Sequence, residues 1–305
     1  MIFRSFWCLW DGNVSRETKQ YTMTKTGTTE SYVPKNVRDY MLTDESFVLA
    51  WNNEYQAYQT TPRPTELAPY YNHPDYISHN DKRSGLIARA YRYVRHWNIR
   101  IKLKWLKNAD PPGRKLLDYG SGAGDFLKAA NELSWQGQGL EVNELGRSVA
   151  EKKGLSIFGA QSKLIDQTYD VITLWHVLEH LEDPGEMAKW LSRHLSARGV
   201  LLVAVPNYKS WDAKFYRHHW AAYDVPRHLW HFSQESIKTI FEQDFEITQK
   251  HPMWFDAIYV SLLSERYRKN KGNPLRGILT GLVSNIHALF SNEPSSLTYV
   301  MKKRI

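Results

Sequence analysis

The sequence predicts an α/β fold, a mostly parallel sheet with helices on both faces, and three observations carry that reading. Strands and helices alternate from Gly113 onward, the pattern that specifies such a sheet. Two of those strands, residues 169–175 and 200–205, stand out clearly. In KLLDYGSGAGDF an apolar strand runs through a glycine-rich turn directly into a helix.

With 305 residues and 42% hydrophobic content, the chain can bury the core of one large α/β domain with extensions, or of two small domains. Its one cysteine, Cys8, excludes an intramolecular disulfide and a multi-cysteine zinc cluster, and suits a reducing compartment, so a cytoplasmic location is expected. Apolar runs such as residues 200–205 are too short to cross a bilayer, which predicts a soluble protein without a transmembrane segment. The apolar patch Phe6 to Trp10 is followed by Asp11 and by no small-residue cleavage pattern, so no signal peptide is expected. The net charge of +8 is concentrated in residues 82–107 and 266–276. Neither stretch is a pure charge block, and both are read as solvated helix faces rather than nucleic-acid sites.

Taken in order, residues 1–30 show no periodicity and read as disordered or loosely attached, and 31–80 as an accessory region. Pro62 and Pro64 force that region to run extended or turning. Leu86, Ala90, Val94, Trp97 and Ile101 recur at helical spacing and predict a basic amphipathic linking helix within 81–110, ending before Asp110-Pro111-Pro112-Gly113. The main domain, 111–305, is then read as strand 115–119, helix 126–133, strand 136–141, helix 148–153, a weak strand 155–158, and strand 169–175. Helix 184–195, strand 200–205, a helix 234–243 capped by Ser233, and strands 245–250 and 296–302 follow, with a helical insertion at about 253–292.

The glycine turn carries the chemistry. Gly120, Gly122 and Gly124 allow positive φ and close passage of the backbone against a ligand, while the helix start offers N–H groups. A dinucleotide fingerprint needs glycine at the sixth position of the turn, where Asp125 stands, so pyrophosphate is disfavoured. Asp118 at the strand end suits the ammonium of a bound amino acid. Glu141, ending the next strand, can accept hydrogen bonds from both hydroxyls of a ribose.

LLDYGSGAGDF, GLEVNE, YDVITLWHVLEHLEDP and GVLLVAVPN together resemble the successive motifs of class I S-adenosylmethionine-dependent methyltransferases. The likeness is to the branch with the ubiquinone-biosynthesis O-methyltransferases and many bacterial relatives, over about residues 103–251, with SSLTYVMKK completing the sheet. It implies a Rossmann-like, seven-stranded sheet whose last strand is antiparallel, and S-adenosylmethionine as cofactor. It further implies that Asp118, Gly120, Ser121 and Gly122 surround the methionine part, that Glu141 and Val142 hold the ribose, and that Trp175 and His176 line the site. The family often carries an acid after the third strand to meet the adenine; here only Gln161 stands nearby. The accessory region resembles a zinc module of some relatives with its cysteines lost, so a β-rich, metal-free remnant is expected.

His176, Glu179 and His180 spell H-x-x-E-H, also an inverted zinc-protease pattern, which makes a zinc hydrolase one alternative and a non-catalytic S-adenosylmethionine-binding protein another. The segment follows a buried strand and precedes a Glu-Asp-Pro turn, so no metal is expected there. Residues 211–233 gather aromatic and basic side chains after the fifth strand, and Tyr223, Arg227 and His228 are the expected substrate contacts. His176 and His228 are the candidate bases for taking a proton from a hydroxyl. The expected acceptor is a small molecule with a hydroxyl or amine, served by a monomer or homodimer.

Overall fold

The computed structural model describes residues 32–71, 86–164, 167–268 and 272–304; the expectation for residues 1–30, and part of the accessory region, lie outside them. The chain opens with strands β1 (Asn36–Arg38), β2 (Ser46–Asn52) and β3 (Ala57–Thr61), then helix α1 (Leu86–Asn108). The main sheet begins with β4 (Lys115–Tyr119), α2 (Asp125–Glu132), β5 (Gln136–Leu140), α3 (Glu144–Glu151), β6 (Ser156–Phe158) and β7 (Tyr169–Trp175). It continues through α4 (Pro184–His194), β8 (Leu195–Pro206), α5 (Trp211–Tyr216), β9 (Trp230–His231), α6 (Gln234–Phe241) and β10 (Phe245–Pro252). Helices α7 (Trp254–Arg268) and α8 (Pro274–Ser291) form the expected insertion before β11 (Ser296–Lys303).

Seven strands make the main sheet in the order β10-β11-β8-β7-β4-β5-β6. Strands β4 through β8 pair in parallel, and β11 runs antiparallel to both neighbours, as the sequence led us to expect. From β4 the chain winds outward to β6 and returns to β7 on the other side of β4. That reversal opens a crevice at the carboxyl ends of β4 and β7, where ligands of such sheets bind.

Adjacent residues of each central strand serve opposite faces. Leu117, Ile172 and Leu201 enter one core with Leu191, Ile237 and Phe241, while Leu116, Val171 and Leu202 enter a second with Leu106 and Leu127. Side chains set the helix starts. Asn143 accepts from the Gly146 N–H, Asp183 from those of Gly185 and Glu186 ahead of Pro184, and Ser233 from that of Ser236. The Asn143 cap starts α3 at Glu144, one turn before the helix read at residue 148.

The face of α1 differs from the expected one. Ile99, Leu103 and Leu106 pack on the second core, whereas Trp97 is exposed. Two apolar stripes at helical spacing interleave on this helix, and only the neighbours it meets decide between them.

Strands β1 to β3 form a second, four-stranded sheet that is completed by β9, with Tyr58 opposite His231 and Gln59 opposite Trp230. The accessory strands therefore share one sheet with a segment of the main domain. Val37, Phe47, Leu49 and Tyr58 pack there against Tyr208, Tyr216, Trp220 and Tyr223.

Helix α8 buries Gly277, Thr280, Gly281, Ser284 and Ala288, with Gly277 and Gly281 against Leu262 and Ile258 of α7 and Ser284 donating to Asp212 of α5. A Cβ on Gly281 would stand 2.5 Å from the Ile258 Cα, a backbone atom with no rotamer to yield. No helix of the described residues is long and apolar enough to cross a membrane. Gly281→Ala would ordinarily favour a helix by about 1 kcal/mol. Here the clash reverses the sign, and denaturant unfolding should show a net loss of about 1–3 kcal/mol.

Candidate active site

Gly120, Gly122 and Gly124 follow β4 with φ of 77°, 56° and 75°, the left-handed region that favours glycine. The turn's amides are used inside the protein: Gly120 and Ser121 N–H both donate to the Leu140 carbonyl, and Gly122 N–H donates to Glu141 Oε2 at 2.7 Å. The N–H groups expected to stand open at the helix start are thus partly tied to the end of β5, which leaves a poor cradle for phosphate. Glu141 is fully buried and accepts a second backbone N–H, from Asn143, at 2.7 Å. Two fixed donors set its rotamer, and a carboxylate has lone pairs left for further hydroxyls.

Asp118, also buried, accepts from Thr173 Oγ1 of β7 at 2.7 Å. Burial pushes its carboxyl up to about 7, against the Thr173 hydrogen bond and the charge of Lys102. Lys102, from α1, sets its ammonium 4.1 Å from the centre of the Trp175 ring. Desolvation pulls Lys102 down to about 8, opposed by the carboxylates of Asp256 and Asp118. Gln161 begins a short turn after β6 and accepts from the Tyr119 hydroxyl at 3.0 Å, which places it beside the end of β4. Val142 is half-buried next to Glu141.

His176 follows β7 with φ of 56°, its N–H donating to the Ala204 carbonyl of β8. Its Nδ1 lies 3.3 Å from Glu179 and its Nε2 3.1 Å from Asp256 in the first turn of α7. Burial works against the imidazolium, but the carboxylates of Asp256 and Glu179 outweigh it and raise His176 above its ordinary range. The result is a run of groups alternating in sign: Glu179, His176, Asp256, Lys102, Asp118.

H-x-x-E-H does not form a helix with both imidazoles on one face. Leu178–His180 is a single tight turn. His180 instead meets His228, their rings 4.6 Å apart and edge to face. His180 Nδ1 is 2.9 Å from the Arg227 carbonyl and His228 Nδ1 is 2.9 Å from that of Ala222, so each ring donates to backbone there. Burial pulls both imidazoles to about 4, which keeps them neutral. Glu179, His180 and His228 bring ligand atoms within 4.8 Å of one another, and of the described side chains these could share a metal ion.

All three expected substrate contacts are built into the protein, His228 being 1% exposed like the other two. Tyr223 is 1% exposed in the core of the small sheet. Arg227 is likewise 1% exposed, its guanidinium 2.8 Å from Asp39 and 2.6 Å from Asp224, with a further hydrogen bond to the Tyr70 carbonyl. A cavity of about 10 Å³ beside it, between Tyr40, Trp220 and Tyr267, has room for no more than a water molecule. Sequence reasoning missed Asp39 as its partner, and likewise Lys102, Thr173 and Asp256 at the crevice. Nothing local marked them, because each acts across a long stretch of chain.

The strand order and the glycine turn define a doubly wound α/β domain whose ligand edge lies at the β4/β7 crevice. A methyltransferase-domain family model matches residues 90–250, more than half of the chain, and the chain belongs to that family. It is similar to the ubiquinone biosynthesis O-methyltransferases of Actinobacillus pleuropneumoniae serotype 5b (strain L20) and serotype 7 (strain AP76). These are 30% and 28% identical over 109 residues, a match covering 31% of this chain and 47% of each relative. The chain thus spans about half the length of the curated relatives it matches. Among solved structures it is similar to magnesium protoporphyrin IX methyltransferase from Synechocystis PCC 6803 with bound SAH. That likeness has a TM-score of 0.52 at 13% identity, covering 77% of this chain and 97% of that one, and it speaks to the fold alone.

Arg227→Met would strand two buried carboxylates. Urea unfolding should show a loss of about 3–5 kcal/mol, typical of breaking a buried ion pair from one side; an unchanged midpoint would return Arg227 to the list of substrate contacts.

Proposed function

We propose that the protein is an S-adenosylmethionine-dependent methyltransferase that delivers a methyl group to a hydroxyl or amine of a small-molecule acceptor. The observation that carries the reading is Glu141: a buried carboxylate fixed by two backbone N–H groups at the end of β5, directly against the glycine turn. Two orphaned donors support it. Ser121 Oγ and Trp175 Nε1 are buried at the ends of β4 and β7, and neither has a hydrogen-bond partner among the described residues. Both belong to the set that the motif resemblance assigns to the cofactor.

The residues also fit that cofactor in charge. Glu179, His176, Asp256, Lys102 and Asp118 carry three negative and two positive charges when all are ionised. The surplus is negative, which suits a ligand bearing both an ammonium and a sulfonium. When bound, the cofactor supplies the activated methyl group. Glu141 then takes the ribose hydroxyls, Asp118 receives the ammonium, Gly120 and Gly122 let the backbone close on the methionine part, and Val142 flanks the nucleoside.

His228 is the candidate base for the acceptor's proton; its imidazole is neutral, but the burial that pulls it to about 4 also makes it a weak base, so positioning has to carry more of the rate. His176, bracketed by two carboxylates, is better suited to hold Glu179 and Asp256 in place than to accept a proton. Positioning supplies most of the remaining rate. The single Cys8 suits a cytoplasmic setting.

Isothermal titration with S-adenosylmethionine and S-adenosylhomocysteine should show micromolar binding, with NADH and zinc as controls and Gly122→Trp blocking the turn. Glu141→Ala should weaken both ligands about five- to 150-fold, the 1–3 kcal/mol of a lost buried contact. Equal affinity in that variant, or binding by neither ligand, would remove the reading.

Affinity should also depend on pH with a definite sign. The free protein holds a proton on Asp118 below about 7. A bound ammonium favours the ionised carboxylate, so binding releases that proton and tightens as pH rises through about 7. A dissociation constant that stays flat across that range would take the ammonium away from Asp118.

A further inference from the structure

Helix α8 is inside out. An amphipathic helix on a protein ordinarily turns its large apolar side chains inward and its small or polar ones outward. Here Gly277, Thr280, Gly281, Ser284 and Ala288 face inward, onto α7 and α5, while Leu275, Leu279, Leu282, Ile286, Leu289 and Phe290 face out. Leu275 is 72% exposed and Phe290 85%. The outward residues follow helical spacing, so they form one continuous stripe along all 18 residues rather than scattered apolar spots. Small residues at the helix contact with large ones outside is the arrangement of helices whose surroundings are lipid.

The charges around the stripe point the same way. Arg266 and Arg268 are exposed at the end of α7, while Arg276, in the first turn of α8, has its Nε 3.3 Å from the buried Glu265 and is matched by it. Helix α8 contains no acidic residue, and the two acids of α7, Asp256 and Glu265, are both buried. An aromatic ring flanks each end. Phe215 lies under the Arg276 guanidinium at 5.6 Å, and Trp254, whose carbonyl accepts from Asn285, is 39% exposed near the other end. Partly exposed aromatics beside an apolar stripe match the headgroup level of a bilayer.

We propose that α8 docks the protein flat on an anionic lipid bilayer, its apolar stripe in the acyl boundary and Arg266 and Arg268 against the lipid phosphates. The helix lies in the plane of the surface over about 27 Å and does not span it. A second copy of the chain fits less well, since it would set the same arginine-bearing, acid-poor face against itself. The proposal stands on α7 and α8 alone and is independent of the methyl-transfer reading.

The test is sedimentation of the full chain with vesicles of phosphatidylcholine, and of phosphatidylcholine with about 30% phosphatidylglycerol, over a salt series. The protein should pellet with the anionic vesicles at least about ten-fold more strongly than with the neutral ones, and salt should weaken that binding. Leu282→Asp with Ile286→Asp should abolish it. Arg266→Glu with Arg268→Glu should bring it to the neutral-vesicle level while leaving the apolar stripe untouched, and circular dichroism should show both variants folded. Wild-type protein that stays in solution with both vesicle types, or pelleting that survives the aspartates, overturns the proposal. A dimer by light scattering that the aspartates convert to monomer, without vesicle binding, assigns the face to a second copy instead.

Discussion

Charges removed from water must be matched, and the β4/β7 crevice is organised by that requirement. Asp118 comes from β4, Lys102 from α1, Asp256 from α7, and His176 and Glu179 from the turn after β7. Only His176 and Glu179 meet within one turn; the other members depend on neighbours delivered from elsewhere in the chain. Deleting one leaves its neighbours buried with unbalanced charge, a cost larger than the net worth of the contact itself. Packing of α1 and α7 over the carboxyl edge of the sheet is therefore tied to the electrostatics of the crevice, where the charge of Asp256 acts on Lys102.

What could be read from the residues was what local physics decides. Strands 115–119 and 169–175 run through to their observed ends because their apolar runs are bounded by turn residues. Glu141 could be placed because strand, turn, helix and strand succeed one another at short range. Ser233 was legible as a cap, whereas Asn143 was not, since an acidic residue and a glycine follow it and the apolar pattern starts later.

The rest depended on distance along the chain. Asp39 and Arg227 are 188 residues apart, and neither carries a local sign of the other. Arg227, in a motif rich in aromatics, looked like a ligand contact; in place, it joins β1 to the β9 segment. The histidine motif misled for a different reason. Its spacing suits a helix, but the residues form one tight turn, and His180 takes His228 as its neighbour in place of His176. The aromatics of 211–233 were visible as a cluster, but whether they line a cleft or fill a core depends on the small sheet that covers them.

The union of β3 with β9 gives that small sheet an unusual status. Its strands are contributed from both sides of the main fold's first half, so the boundary suggested by composition near residue 80 is not a seam of the molecule. Cutting the backbone between 72 and 85 would leave two fragments still joined by the Thr60 hydrogen bonds to Leu229 and His228 and by the Arg227 ion pair to Asp39. The amino-terminal strands act as a bolt across the molecule: covalently first in the chain, yet held in a sheet that is completed only by the segment following β8.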